Sequence, residues 1–441
     1  MLDSNKVNYL LYDLAFYKLN PLLKIDFTIE AGGVLFFSDE KHLYTEKHFD
    51  FDTLSLESDD CKVLDLLVHL CAQKKDISLV YSSLKELEYS NYFKLIYYFT
   101  NECYQEDADV DKYGRIISDS LSSSLKNYLS IPISDILIRI LYIAFDIIPS
   151  KFFKVQFSCD YDIINYWQGI SLLQKAKWFF YWFRNDKIEF IKQIRSYFGS
   201  IFKMDNPLLN NEMFLLNQVQ MNASEIEVEN VAFILLPEKD IFFDGSIDFY
   251  NKISSVEKKF FKKLQLEGVK MGIHPSINSF EHPTILGVQL NRFHQLFGYY
   301  PSIYRSHYLK INYKKDLFLL SLLGVKEEHS FCFFDTLLFR GGITRIFRMW
   351  NPIDQKAFPI EIVPLSIMDT TIEKHLTNSK INKINDVKHK IDLCKQYGFQ
   401  LSILIHNNHF SMDSKYNVLK KEIMGLVKAL ILKRDNNSIL R

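Results

Sequence analysis

The sequence predicts an α/β protein: a nearly closed βα barrel of about seven strands at 151–441, preceded by a smaller α+β domain at 1–150. Three observations point there. At 441 residues the chain is too long for one ordinary core, so two domains are expected. From Lys151 onward short apolar runs alternate with helix-period stretches, the rhythm of a mostly parallel sheet. Every one of those runs but the second finishes on a titratable or chelating side chain. Barrels of this kind gather functional groups at the carboxyl ends of their strands.

The first domain mixes the strand-like runs "GGVLFFS" and "DISLVYS" with the helical patterns "VLDLLVHLCAQ" and "NYFKLIYYFTNECY". "QEDADVDKYGRIISDSLSSSLKN" reads as a polar loop; no acid closes a calcium-binding frame from Asp107. The most apolar window, "IPISDILIRILYIAFDIIP", contains Asp135, Arg139 and Asp146. It is therefore an amphipathic helix rather than a membrane span. The barrel strands are expected in "KVQFSCD", "VAFILLP", "VKMGIHP", "SIYRSHY", "FCFFD", "IEIVPLSIMD" and "LSILIHNN". "FYNKISSVEKKFFKKLQLEG", "PTILGVQLNRFHQLFG" and "DVKHKIDLCKQYG" carry helical spacing between them, and His282 in "FEHPT" starts a helix. In "EKKFFKK" the lysines face water while Phe260 and Phe261 point inward. A helical insertion is expected at about 167–225. Its aromatic, lysine-rich stretch from Trp167 to Lys203 reads as a helix packed on the barrel or first domain, in preference to one lying on a membrane.

The 53 basic and 53 acidic residues cancel, leaving no electrostatic footprint for nucleic acid or an anionic membrane. Six scattered cysteines form no metal-finger or disulfide pattern, which fits a reducing compartment. The first twenty residues lack the basic, apolar and small-residue features of a signal peptide. The expectation is a cytoplasmic protein with no transmembrane segment.

The strand endings carry the chemistry. Asp160 and Asp162 close the first run, His274 the third, Arg305 and His307 the fourth, Asp335 the fifth, Asp369 the sixth and His406 the seventh. Residues two apart on a strand share a face, so Asp160 and Asp162 can reach one cavity, as can Arg305 and His307. Carboxylates and imidazoles converging on one rim suit a divalent metal with an open position for water, one aspartate ligating while the other takes the water's proton. Taken singly, each has a plainer account: a strand-end aspartate caps a helix, and a lone histidine is a hydrogen-bonded core residue. His409 could line the same pocket and ranks below His406.

These endings, in this order, resemble the polysaccharide deacetylase family, which carries the nodulation-protein-B homology domain. The resemblance implies a distorted (β/α) barrel of about seven strands that uses a divalent metal to remove acetyl groups from sugars. "SCDYD" resembles the family's first motif, implying Asp160 as base and Asp162 as metal ligand. "GIHPSINS" is similar to the second, with His274 as ligand. "YRSHY" resembles the third, with Arg305 holding the base; "FFDT" supplies Asp335 for the fourth; "LSILIHNN" ends on His406 as general acid, kept charged by Asp335 or Asp369. "DKYGRI", "GIHPSINS", "RSHYLK", "EIVPLSIMDTTI" and "ILIHNN" are similar to a bacterial subgroup found mainly among Bacteroidetes, which adds an amino-terminal domain of unknown role. Many of its members are tied to surface-polysaccharide gene sets.

The chain departs from the family pattern. Asn278 stands where a second histidine belongs, so one ligand is missing or replaced, by His307 or by the Asn278 amide oxygen. The aspartates are separated by Tyr161. "FRMWNP" keeps Arg348 but puts Trp350 where small residues are expected. Tyr308, Arg348, Trp350, Asp369 and Asn407 are the expected substrate-binding residues. The implied cofactor is zinc, with cobalt or nickel as alternatives, and the implied substrate an acetylated sugar or polysaccharide precursor in polysaccharide biosynthesis. A catalytically degenerate barrel that binds or scaffolds a glycan is the rival reading.

Overall fold

The structure is a computed structural model describing residues 56–84, 89–104, 108–144, 153–162, 172–202, 226–236, 255–277, 281–375 and 380–407, three strands between 26 and 45, and positions 9, 164, 253, 279 and 425. Strands β1 (Asp26–Glu30), β2 (Gly33–Phe37) and β3 (His42–Thr45) form an antiparallel meander. Helices α1 (Ser58–Ala72), α2 (Ile77–Leu84), α3 (Tyr89–Thr100), α4 (Ser123–Leu129) and α5 (Ile133–Ala144) follow. After β4 (Phe153–Tyr161) come α6 (Leu172–Asn185) and α7 (Lys187–Phe202), then β5 (Ile226–Leu235), α8 (Ser255–Leu266), β6 (Lys270–His274) and α9 (Pro283–Phe297). The remainder comprises β7 (Ile303–Tyr304), α10 (Tyr313–Leu322), β8 (Glu327–Glu328), β9 (Trp350–Asn351), β10 (Lys356–Ala357), β11 (Glu361–Ile362), β12 (Ile367–Met368), α11 (Lys380–Tyr397) and β13 (Leu401–His406).

Eight strands build one sheet in the order β11-β8-β7-β6-β5-β4-β13-β12. Its pairs β5/β6, β6/β7, β12/β13 and β8/β11 run parallel. This is an α/β fold of the (β/α)-barrel type, with a run of eight strands where the sequence predicts about seven. "IEIVPLSIMD" yields two strands, β11 and β12, while "FCFFD" yields none. The backbone of that run is engaged elsewhere: Phe331 O accepts from Leu365 N at 3.0 Å and Cys332 O from Arg340 Nη1 at 3.2 Å.

"DISLVYS" is also not a strand. The Asp76 carboxylate accepts from Ser78 N at 2.8 Å and from the Ser78 hydroxyl, an N-cap that starts α2 instead. α9 begins as expected, with His282 at its N-cap and Pro283 in its first turn, and ends on Gly298 at φ 82°, a left-handed cap that glycine adopts without strain.

The chain divides into two compact units. The first takes Met1–Phe153, Leu309–Ser366 and His389–Leu401; the second takes Lys154–Tyr308, Ile367–Lys388 and Ser402–Arg441. The first unit thus takes in two later stretches besides the amino-terminal one that ends at Phe153. Within that unit α5 is buried on nearly all sides. Its Asp135 accepts on Oδ2 from Thr344 N at 2.6 Å and Thr344 Oγ1 at 2.7 Å, and Oδ1 faces Arg345 Nε at 3.2 Å, so the helix's acid is paired with a cation inside the core. No single helix among the described residues is long and apolar enough to cross a membrane.

In the second unit, β4 is buried from Val155 to Tyr161 and β5 from Asn230 to Leu235, the continuous burial of parallel strands covered on both faces. Gly272 on β6 lies against Phe233 of β5: a Cβ there would stand 2.7 Å from the ring. Glycine is required for that ring to lie flat. Phe260 and Phe261 of α8 both meet Tyr161, at 6.0 and 5.2 Å between ring centroids.

Candidate metal centre and active site

The second unit brings together residues from four strand ends. β4 delivers Asp160, and Asp162 follows one residue past its end. β6 ends on His274 and β13 on His406, while Asp369 follows β12. β7 stops at Tyr304, so strand alternation is not what aligns Arg305 with His307. The chain instead turns sharply there: Tyr308 and Leu309 have φ of 57° and 56°, in the left-handed region. Two successive non-glycine residues in that region cost ~1–3 kcal/mol each. The strain falls directly after His307.

Asp160 is buried, and Oδ1 accepts from Arg305 Nη1 at 2.7 Å. The equally buried Arg305 sends Nη2 to Ser158 Oγ at 3.0 Å, and Ser158 in turn donates to Ile403 O at 3.0 Å. Beneath the guanidinium lies the Phe233 ring, 4.1 Å from Cζ, a desolvated cation–π contact. The glycine at 272 thus seats Phe233, Phe233 supports Arg305, and Arg305 fixes Asp160.

His274 Nδ1 lies 2.8 Å from Arg305 O, so it carries the proton and Nε2 faces the carboxylates. That nitrogen is 3.3 Å from Asp162 Oδ1 and 3.6 Å from Asp160 Oδ2. The His307 ring stands 5.0 Å from the His274 ring, and its Nδ1 is buried with no hydrogen-bond partner among the described residues. Asp162, His274 and His307 each offer a ligand atom, all within 4.8 Å of one another. A carboxylate oxygen and two imidazole nitrogens are a donor set that zinc and related divalent ions accept. The backbone bond orienting His274 and the orphaned nitrogen of His307 are the marks such a site leaves on its ligands.

Charge supports the same reading. Burial opposes ionisation of Asp162, but its bond to His274 and the charge of His406 hold its carboxyl below the usual range. Burial alone would lower His274; the charge of Asp160 and the bond from Asp162 raise it instead. His307 is pushed down to about 4, mainly by burial, and is neutral with a lone pair to give. Three carboxylates, Asp160, Asp162 and Asp369, face Arg305 and a protonated His406. One negative charge is left over, which a proton on His274 or a bound cation can balance.

His406 donates from Nδ1 to Asp369 Oδ1 at 2.7 Å, its backbone N–H donates to Asp369 Oδ2 at 2.8 Å, and Nε2 lies 3.9 Å from Asp162 Oδ2. Burial disfavours its charged form, yet the Asp369 carboxylate raises it to about 9. Asp369, of the two acids considered, is therefore the one on His406. Asp335 lies in the first unit and accepts from Ser118 N at 2.8 Å. No described strand places it at a barrel rim.

The expected substrate-binding residues divide likewise. Tyr308 stacks on His307 at 4.4 Å, and Asn407 donates its backbone N–H to Asp160 O at 2.9 Å. Arg348 and Trp350 belong to the first unit. Arg348 O accepts from Tyr9 at 3.0 Å, and Trp350 is buried with its ring 5.2 Å from Tyr9, its face spent in that unit's core. Asn278 and His409 lie outside the described residues. Sequence reasoning missed Ser158, Phe233 and Gly272. Ser158 was legible: it lies two residues before Asp160, on the same strand face.

No family model matches the chain, and no curated protein matches it. Among solved structures it is similar to a crystal structure described as "putative polysaccharide deacetylase from Mycobacterium smegmatis", at 11% identity and a TM-score of 0.36, covering 64% of this chain and 86% of that one. At that distance the functional reading has to stand on the site itself.

Proposed function

We propose that the chain is a metal-dependent hydrolase of the polysaccharide-deacetylase type, removing acetyl groups from a sugar or surface-polysaccharide precursor. The carrying observation is the meeting, in one unit, of a donor triad, a buried Arg-fixed carboxylate and an Asp-paired histidine. Asp162, His274 and His307 would hold a divalent metal, zinc or alternatively cobalt or nickel, which would supply Lewis-acid chemistry to water and an acetyl carbonyl.

The chain's own groups do the rest. Asp160 accepts the attacking water's proton on Oδ2, the oxygen Arg305 leaves open. Arg305, locked between Ser158 and Phe233, keeps that carboxylate aimed. His406 carries a proton on Nε2 at neutral pH and gives it to the departing nitrogen or oxygen as the bond to the acetyl carbon breaks. Tyr308 and Asn407 line the approach as binding residues. Acetate and the free amine or hydroxyl are the products.

The test is an acetate-release screen on acetylated sugars and oligosaccharides with metal-loaded protein. Asp160→Asn should lose ~10²–10⁴-fold in turnover while staying folded; release that survives in it overturns the assignment. The degenerate, glycan-binding reading draws on Asn278, where the resembling family has its second histidine. It predicts glycan binding without acetate release.

A further inference from the structure

The hairpin of α6 and α7 is held together by an aromatic seam: Phe179 meets Phe190 and Tyr197 at 6.3 and 5.7 Å between centroids, and Phe183 meets Phe190 at 5.2 Å. The apolar surface that the seam leaves uncovered is unusual. No described side chain of α6 is buried. Leu173 is 69% exposed, Phe180 66% and Phe183 55%, and Ile191 and Phe198 of α7 are also half exposed or more. An amphipathic helix normally buries its apolar face on a neighbouring element. The expected packing of this stretch does not cover that face.

Charge identifies the partner. The chain is neutral as a whole, but the sequence from Leu172 to Phe202 carries Lys175, Lys177, Arg184, Lys187, Lys192 and Arg195 against only two acids, Asp186 and Glu189. On α6, Leu173, Lys177, Phe180 and Arg184 follow one another at intervals of four, three and four residues, which is one helical stripe. The exposed Phe180 ring in that stripe is thus flanked by cations, Lys177 and Arg184. Trp178, Tyr181, Trp182 and Tyr197 add the amphipathic aromatics that suit a water–lipid boundary. A second copy of the chain would bring the same cations against these; an anionic headgroup layer over an acyl boundary complements both.

We propose that the α6–α7 hairpin docks this protein on an anionic phospholipid surface, with Phe180 and Phe183 entering the acyl boundary and Lys177 and Arg184 pairing with headgroup phosphates. The test is flotation of the full chain with vesicles of phosphatidylglycerol and phosphatidylcholine, and with phosphatidylcholine alone. Wild type should float with the mixed vesicles only, and about 1 M salt should release it, since screening then acts within ~3 Å. Lys177→Glu with Arg184→Glu should weaken binding on the order of tenfold or more, and Phe180→Asp with Phe183→Asp should abolish it. Phe183 also belongs to the seam, so Phe180→Asp alone, at an exposed ring, should weaken binding as well and keeps the test independent of the hairpin's own packing; circular dichroism checks that every variant folds. Equal binding to neutral vesicles, no binding to either, or a wild-type dimer split by Phe180→Asp and Phe183→Asp without vesicle binding would each overturn the proposal.

Discussion

Asp369→Asn is the sharpest probe of the acid side of the site. In the wild type, one Asp369 oxygen accepts from His406 Nδ1 at 2.7 Å and the other from His406 N at 2.8 Å. The amide can keep its single oxygen on the backbone N–H, which leaves its NH₂ facing Nδ1 and reverses the imidazole tautomer. His406 sits at about 9 against an ordinary 6.5, a gap worth on the order of 3 kcal/mol. That gap is a net one: burial opposes it, Asp369 supplies most of what raises it, and Asp162 and Asp160 add to it. Because the folded value is the higher one, the associated stability is fully present below pH 6.5 and is lost as pH rises through about 9. In the variant His406 should titrate near or below 6.5, so its charged fraction at pH 8 falls from about nine in ten to about one in thirty. Imidazole resonances of metal-free wild type and variant, assigned with His406→Gln, measure this directly. A His406 that still titrates above 8 without Asp369 would refute the pairing.

Other perturbations address the supports. Arg305→Met leaves Asp160 buried without its cation, and urea unfolding should show a loss of ~3–5 kcal/mol. Gly272→Ala drives a methyl to within 2.7 Å of the Phe233 ring, costing about 1–3 kcal/mol in the same assay; an unchanged midpoint would mean the ring moves freely. Glu229, half-enclosed with Lys154 at 3.1 Å and with Lys270, is lowered from 4.5 to about 2 by those lysines against the cost of burial. A depressed folded value gives stability present above pH 4.5 and lost as pH falls toward 2. Glu229→Gln should therefore be less stable than wild type at pH 7 by up to ~3 kcal/mol, with the difference shrinking at pH 3.

Much of the site was legible because strand ends are legible. "KMGIH" and "LSILIH" are short apolar runs, and both stop on the histidine that the site uses. Asp160 and Asp369 follow the same logic. "FCFFD", which carries Asp335, has a strand's composition while its backbone groups bond to Leu365 and Arg340; composition cannot report where a hydrogen-bond partner comes from. His307 was placed correctly for a reason that does not operate, since β7 is two residues long and a left-handed turn presents the ring. Phe233 carries no polar atom and contributes from mid-strand, so nothing in "VAFILLP" could mark it as the floor beneath Arg305. The exposure of α6 was equally invisible, because amphipathic spacing predicts a face to be covered without saying by what.

The central claim is that Asp162, His274 and His307 share one divalent cation. Titrating metal-stripped protein with cobalt(II) while recording its visible absorption tests this without any substrate. One equivalent per chain should bind with a ligand-field spectrum, His274→Ala and His307→Ala should each abolish it, and binding should weaken as pH falls, because the neighbouring carboxylates let His274 take up its proton above the ordinary 6.5. Undiminished stoichiometric binding in both alanine variants, or no binding in the wild type, would contradict the account.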